Sequence, residues 1–228
     1  MKRTAIVLFV LGVAVAAIQA RTQTPPPQQT PPAAAQPQQQ QQRPPQPPLG
    51  PNEWQIDPAH SAAHFSVRHM MVSTVRGTLG PVSGIVTYDG STVESVKADV
   101  SIDVKGIDTG NSGRDNDLRS PNFFDVANFP TAAFKSKRAE AAGAGKFRLI
   151  GDLTIHGVTK EVEFDVEGPA PVVKQQNGMS TGATATTRVN RKDFGLNWNR
   201  MIEAGPVVSD DVQVTIDIEL RKRTQTAQ

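Results

Sequence analysis

Cysteine is absent from all 228 residues. That removes disulfide staples, a thiol nucleophile and a lipid-bearing N-terminal cysteine at one stroke. Any folded part must stand on its apolar core alone. Aromatic residues are scarce, with one tyrosine, two tryptophans and nine phenylalanines. No apolar run reaches the ~18–20 residues that a membrane-spanning helix needs. No helical pattern is long enough for a βαβ crossover, so a parallel α/β sheet is excluded. The strand-to-helix nucleophile signature GxSxG is missing, as are the zinc-ligand spacings HxH and HExxH. A clustered basic face, the footprint of a nucleic-acid binder, is missing too. Four of the 24 basic residues (Lys2, Arg3, Arg21 and Arg43) precede Glu53 and none of the 22 acidic ones does. From Glu53 onward, 20 basic residues face 22 acidic ones, a net charge of −2. The basic pI of the whole chain therefore belongs to its N-terminal part.

What is present begins with that part. Residues 1–20 read as a secretory signal peptide: Lys2 and Arg3, then AIVLFVLGVAVAAI, then small residues allowing cleavage after Ala17 or Ala20. Export of a cysteine-free chain suits a bacterial periplasm. Residues 21–52 are Pro/Gln-rich, with 11 of the 18 prolines lying between Arg21 and Pro51. Such a stretch has almost nothing to bury and is expected to be a disordered linker. Residues 53–223 supply one domain, and residues 224–228 a short tail.

Within the domain the apolar period is two nearly throughout. Val96, Ala98, Val100, Ile102 and Val104 alternate with Lys97, Asp99, Ser101 and Asp103. Val212, Val214, Ile216, Ile218 and Leu220 repeat the pattern, as do Val162, Phe164 and Val166. Phe147, Leu149, Leu153 and Ile155 form another face, and Ala63, Phe65 and Val67 open the series. Weaker strands are expected near residues 84–88, 131–138 and 182–189. Short links at Asp89-Gly90, residues 143–145 and His156-Gly157 imply antiparallel neighbours. About eight strands with one apolar face each leave two solutions, a sandwich or a closed barrel.

One stretch breaks the rhythm. Residues 106–134 hold four of the nine phenylalanines (Phe123, Phe124, Phe129 and Phe134) behind a polar part containing Arg114, Asp115, Asp117 and Arg119. Ser112 followed by Asp115 looks like a capping box opening a short helix, which Pro121 should end. An aromatic insert needs an apolar mouth. A sandwich has none, so the insert favours a barrel with a lid or plug.

Five blocks in this order carry a resemblance: WQIDPAHSAAHFSVRHM (54–70), RGTLGPVSGIVTYD (76–89), DTGNSGRDNDLRSPNFFDVANFP (108–130), GDLTIHGVTKEVEF (151–164) and RKDFGLNWN (191–199). Together they resemble the YceI-like, polyisoprenoid-binding family over ~170 residues. The resemblance implies an all-β fold, an extended eight-stranded antiparallel barrel similar to lipocalins with a short helix-loop insert near 106–134. It implies a periplasmic or secreted protein whose pore holds an isoprenoid or another amphiphilic lipid. Two positions depart from the family pattern: Asp117 stands where a histidine is common, and Glu161 where a proline is. The first replaces a switchable donor with an acceptor in the polar part of the insert.

Candidate cavity and mouth residues are Phe65, Val67, Val100, Ile102, Phe123, Phe124, Phe129, Phe134, Leu149, Leu153, Ile155 and Phe164. Arg114, Asp115 and Arg119 lie nearest in sequence to the aromatic wedge. They read either as head-group contacts or as braces of the loop. His60 and His64 would sit on one strand face about 13 Å apart, too far for shared coordination. With His69 and His156 they read as structural, and no metal or cofactor is expected. Asp108, Asp115, Asp117 and Asp125 could supply a carboxylate pair for glycoside hydrolysis. Interleaved arginines argue for local salt bridges instead, so an enzyme is not expected. The expected partner is an amphiphilic lipid with a prenyl or fatty-acyl chain, and not nucleic acid; a homodimer is left open. The competing function class is a structural barrel with a filled core, whose Pro/Gln tail docks a partner.

Overall fold

The computed structural model describes residues 48–203 and 205–223. The signal peptide, nearly all of the Pro/Gln stretch and the tail 224–228 lie outside the described residues. The alternating segments of the sequence become strands β1 (Glu53–Ile56), β2 (Ala62–His69), β3 (Ser73–Gly80), β4 (Val82–Thr87), β5 (Lys97–Asp103), β6 (Thr131–Ala141), β7 (Lys146–Ile155), β8 (Val158–Glu167), β9 (Val173–Gln175), β10 (Gly178–Asn190), β11 (Met201–Ile202), β12 (Gly205–Pro206) and β13 (Val208–Arg223). Among the described residues one α-helix, α1 (Ser112–Arg119), lies between β5 and β6.

Eight walls close into an antiparallel barrel. Two of them are interrupted: β1 and β2 form one, broken at Pro58, and β3 and β4 form another, broken at Pro81. Proline cannot donate to a ladder, so both breaks fall where a strand must bend. The last wall, β13, closes the ring. It pairs with β10 along thirteen residue pairs from Asn190↔Asp211 to Gly178↔Arg223, and its other edge pairs with β2 and β1. The weak seam is between β8 and β10, which pair only from Thr184↔Glu167 to Thr186↔Asp165.

The barrel has two distinct ends. At one, Trp54 is buried and donates its indole N–H to the Tyr88 carbonyl at 3.3 Å, with Lys222 over its ring. The other end gathers the β2–β3 turn, the β5–β6 insert, the His156-Gly157 turn and the loop between β10 and β13. Folded backbone begins slightly before Glu53, since Tyr88 donates to the Asn52 carbonyl and Glu53 to the Gly50 carbonyl.

Two local expectations need correction. The cap of α1 is Asn111, whose Oδ1 accepts from Arg114 N–H at 3.0 Å, so Ser112 is the first helical residue. Asp115 bonds instead to Thr109, outside the helix. His60 also does not share an extended strand with His64. The chain turns after Asp57, whose Oδ1 accepts from Ala59 N–H, and His60 sits in that turn with its Nδ1 2.8 Å from Asp57 Oδ2.

Candidate ligand cavity and its cap

The inward faces of the strands form one apolar interior, but it is filled unevenly. Val100 and Ile102 of β5, Phe134 of β6, Leu149 and Leu153 of β7 and Phe164 of β8 are all buried in a single cluster. Phe134 and Phe164 meet edge-to-face at 5.0 Å between centroids and occupy the middle of the barrel. Trp54, Ile56, Val86, Ala98 and Leu220 continue the packing toward the Trp54 end.

The opposite wall is different. Val212, Val214 and Ile218 of β13 and Ala183 and Ala185 of β10 touch the cluster but remain half-buried, as do Ile155 of β7 and Val158 and Val162 of β8; Ile216 of β13 is buried among them. Between Met179 and Val189 the inward positions on β10 carry only Thr181, Ala183, Ala185 and Thr187, so this wall brings little volume to the middle of the barrel. Phe65 and Val67, opposite Val214 and Val212, are also half-buried. The interior is thus dense against β4–β7 and loosely covered against β10 and β13.

Over the second end lies the insert. Phe123 is buried against Trp198 of the β10–β13 loop at 5.1 Å, and Phe124 packs half-buried on the core. Phe129 sits on the rim, its ring 4.6 Å from that of His156. Gly157 makes that seat possible: its φ is +74°, and a Cβ there would come within 2.7 Å of the Phe129 ring. Gly77 has a similar role on β3, where a Cβ would meet the Asp108 carbonyl at 2.6 Å. That close approach lets Thr78 and Asp108 exchange backbone hydrogen bonds and stitches the insert to the barrel edge.

The three polar residues singled out in the insert are committed to bracing it. Arg119 donates to the carbonyls of Lys105 and Ile107. Arg114 donates through Nε to Thr109 Oγ1 at 2.7 Å and through its terminal nitrogen to the Thr109 carbonyl at 3.1 Å. Asp115 is buried and accepts from both the N–H and the hydroxyl of Thr109. Those hydrogen bonds, helped by Arg119 and Arg114 nearby, hold its carboxyl below the ordinary range despite burial.

A second brace lies in the β10–β13 loop, and the residue patterns did not single it out. Arg191 is buried and donates to the carbonyls of Leu196, Trp198 and Ser209, and to Asp210 Oδ1 at 3.2 Å. Burial lowers its affinity for the proton, and Asp210 offsets part of that. Asn199 completes the loop by exchanging two hydrogen bonds with the Val208 backbone. These contacts fix Trp198 over Phe123. Strand alternation carries the signal. Arg191 stands two residues after the buried Val189, so a charged residue falls where an apolar one belongs.

Two other concave or clustered features lie outside the interior. A groove of 490 Å³ is lined by residues 64–66 of β2, 76–78 of β3, Gln213 and Thr215 of β13, and residues 108–110 of the insert. His64, Ser66, Arg76, Thr78, Gln213 and Thr215 alternate with the inward positions, so the groove opens on the outer face, with Phe65 at its base. Asp57, His60 and Glu219 bring potential metal ligands within 4.8 Å of one another, the one such group among the described residues. Arg221 already serves its carboxylates, at 2.8 Å from Asp57 Oδ2 and 2.9 Å from Glu219 Oε1. A guanidinium there supplies the positive charge that a cation would.

A family model described as a YceI-like domain matches residues 54–220. The chain belongs to the YceI-like family. A UPF0312 protein of Staphylococcus aureus (strain MSSA476) is 35% identical over 153 residues, covering 67% of this YceI-like chain and 86% of the relative. The crystal structure of a Campylobacter jejuni YCEI protein is 28% identical with a TM-score of 0.60, covering 69% of this chain and 90% of that one. A polyisoprenoid binding domain from Saccharophagus degradans has a TM-score of 0.54 at 16% identity, covering 74% and 97% respectively. At that identity the likeness speaks for the barrel alone.

Proposed function

We propose that this YceI-like protein is a non-catalytic binding protein that takes up the apolar chain of an isoprenoid or other long-chain amphiphile. The observation that carries the reading is the loosely covered wall of Val212, Val214, Ala183 and Ala185, facing Ile155, Val158 and Val162, beneath a braced aromatic cap. Each methylene buried there stabilises the complex by about 0.8 kcal/mol. Among these positions the one charged residue is Lys160, between Val158 and Val162 on β8, and it is exposed to solvent; an unpaired ion deeper in the barrel would cost many kcal/mol. The chain therefore enters tail first and leaves its polar end at the insert, near Arg114 and the half-buried Asp117. The fold shared with the Saccharophagus degradans polyisoprenoid binding domain supports the same reading. The signal-peptide pattern of residues 1–20 supports a periplasmic carrier or store of such a lipid.

Displacement of a hydrophobic fluorescent probe by lipids differing only in chain length tests this. Affinity should climb with each added carbon until the space beside β10 and β13 is full, then level off. A response flat with chain length but steep with head-group charge would mean a barrel filled by its own side chains.

A further inference from the structure

The β2–β3 hairpin turns through residues His69–Val72, closed by Val72 N–H donating to the His69 carbonyl at 3.0 Å. Its two central residues, Met70 and Met71, have φ of +50° and +57°. A hairpin turn with positive φ at both centres strongly favours Asn-Gly or Asp-Gly, because a Cβ is strained there. The comparable turn at His156-Gly157 does use glycine at its second position, with φ of +50° and +74°. Methionine at both centres is therefore a conformational cost with no return inside the fold. The side chains are not buried: Met70, Met71 and Val72 are 37, 53 and 79% exposed.

They are not alone. Met70 N–H donates to the Val207 carbonyl, and Val207 N–H donates to the Arg200 carbonyl. The short β11–β12 hairpin therefore lies beside the turn, and it adds Met201, 72% exposed. Arg68 adjoins the turn, donating to the Met71 carbonyl at 2.6 Å and to Thr74 Oγ1 at 3.0 Å, and Arg200 and Glu203 stand beside Met201 in sequence. The same loop that carries Met201 carries Trp198, which packs on Phe123 of the cap over the barrel mouth.

We infer that this rim is a membrane-docking tip: Met70, Met71, Val72 and Met201 enter the interfacial region of a lipid bilayer and set the barrel mouth against it. The choice of a bilayer rests on the lipid-binding reading, and on three features of the rim itself. A hairpin tip projects rather than forming a groove, so a rigid partner surface would need a matching pocket, whereas acyl chains conform to it. Methionine is the most deformable apolar side chain and suits an irregular, fluid partner. The flanking arginines favour anionic head groups. A tip that rests on the membrane shortens the path of a lipid tail between bilayer and barrel to the width of the cap.

The absence of native cysteine makes the test site-specific. The full chain carrying Val72→Cys, labelled with an environment-sensitive fluorophore, is mixed with vesicles of phosphatidylethanolamine and phosphatidylglycerol. Val173→Cys, a valine 59% exposed on β9 at the Trp54 end, is the matched control. The label at position 72 should shift to the blue and brighten several-fold, while the label at 173 stays unchanged. Adding Met70→Asn and Met71→Gly to the Val72→Cys chain should cut vesicle affinity at least tenfold and raise the melting temperature, since that turn prefers Asn-Gly. No response at position 72, an equal response at 173, or a response that survives the double substitution overturns the inference. A blue shift that grows with protein concentration without vesicles also overturns it, because the rim is then a self-association surface. Probe displacement without vesicles reports on the cavity separately, so a failed cavity and a failed tip give different results.

Discussion

Two walls of the same barrel follow the same alternation of apolar and polar residues, yet one fills the interior and the other leaves it loosely covered. On β5, β6 and most of β7 the inward positions carry valine, isoleucine, leucine and Phe134, which meets Phe164 of β8, and they are buried. Along the middle of β10 they carry threonine and alanine, and of their neighbours on β13 Val212, Val214 and Ile218 are half-buried while Ile216 and Leu220 are buried. Polarity pattern alone decides which face turns inward. Side-chain volume decides whether that face supports the fold or leaves room for something else. The dense wall is where stability resides; under the proposed function the sparse wall is where a ligand gains its binding energy.

Truncation tests that division most strongly. Phe164→Ala removes one half of the central aromatic pair and should cost about 3–5 kcal/mol in chemical denaturation. Val162→Ala, two residues along the same strand but half-buried, should cost roughly 1 kcal/mol. Comparable losses at both would erase the distinction between the walls. Next in size is the brace of the cap. Arg191→Met strips four acceptors of their donor and should cost about 2–4 kcal/mol. Trp198 should then move toward water, read as a red shift of fluorescence in a Trp54→Phe background. An unchanged spectrum would mean that Phe123 alone holds Trp198 in place.

Filling, rather than emptying, gives a finer test. Ala98→Leu adds volume to the dense wall and should destabilise by about 1–3 kcal/mol through overpacking. Ala185→Leu adds the same atoms to the sparse wall. It should leave the melting temperature nearly unchanged and shift the preferred lipid to a shorter chain by a few carbons. If Ala185→Leu destabilises as much as Ala98→Leu, the space beside β10 is not there.

Much of this was legible in the residues. Period-two alternation placed β5, β7, β8 and β13 with their inward faces, because burial of one face is a local property of a strand. The helix-loop insert was legible as a break in that rhythm; of its four phenylalanines Phe123, Phe124 and Phe129 lie over the second end, while Phe134 belongs to β6 and packs against Phe164 in the middle of the barrel. The aromatic partners were not legible. Trp198 meets Phe123 across 75 positions of sequence, and only the closure of β10 on β13 brings them together. The cap of α1 was misread because Asn111 and Ser112 are both good caps, and tertiary bonding of Asp115 to Thr109 decided between them. The uneven filling could have been read from GATATT on β10, had volume been weighed beside polarity.

The smallest effect separates the cap from both walls by acid. Asp115 in the insert and Asp89 in the β4–β5 connection at the Trp54 end are both held below the ordinary carboxylate range by hydrogen bonds. Thr109 donates them to Asp115, and the Thr92 and Ser91 backbones donate them to Asp89. A depressed folded pKa adds stability that is fully present above the unfolded value of about 3.9 and is lost as pH falls toward the folded one. Both Asp115→Asn and Asp89→Asn should therefore lower stability at neutral pH and flatten its decline between about pH 5 and pH 2. The two should part on lipid release. Protonation of Asp115 frees Thr109 beside the Gly77 seam and loosens the insert, so acid should speed dissociation of a bound probe, and Asp115→Asn should dissociate fast at every pH. Asp89→Asn, at the far end, should leave the release rate and its pH dependence as they are. Stopped-flow dilution of the probe complex across that range reads both. Equal release profiles for the two variants would place the exit somewhere other than under the insert.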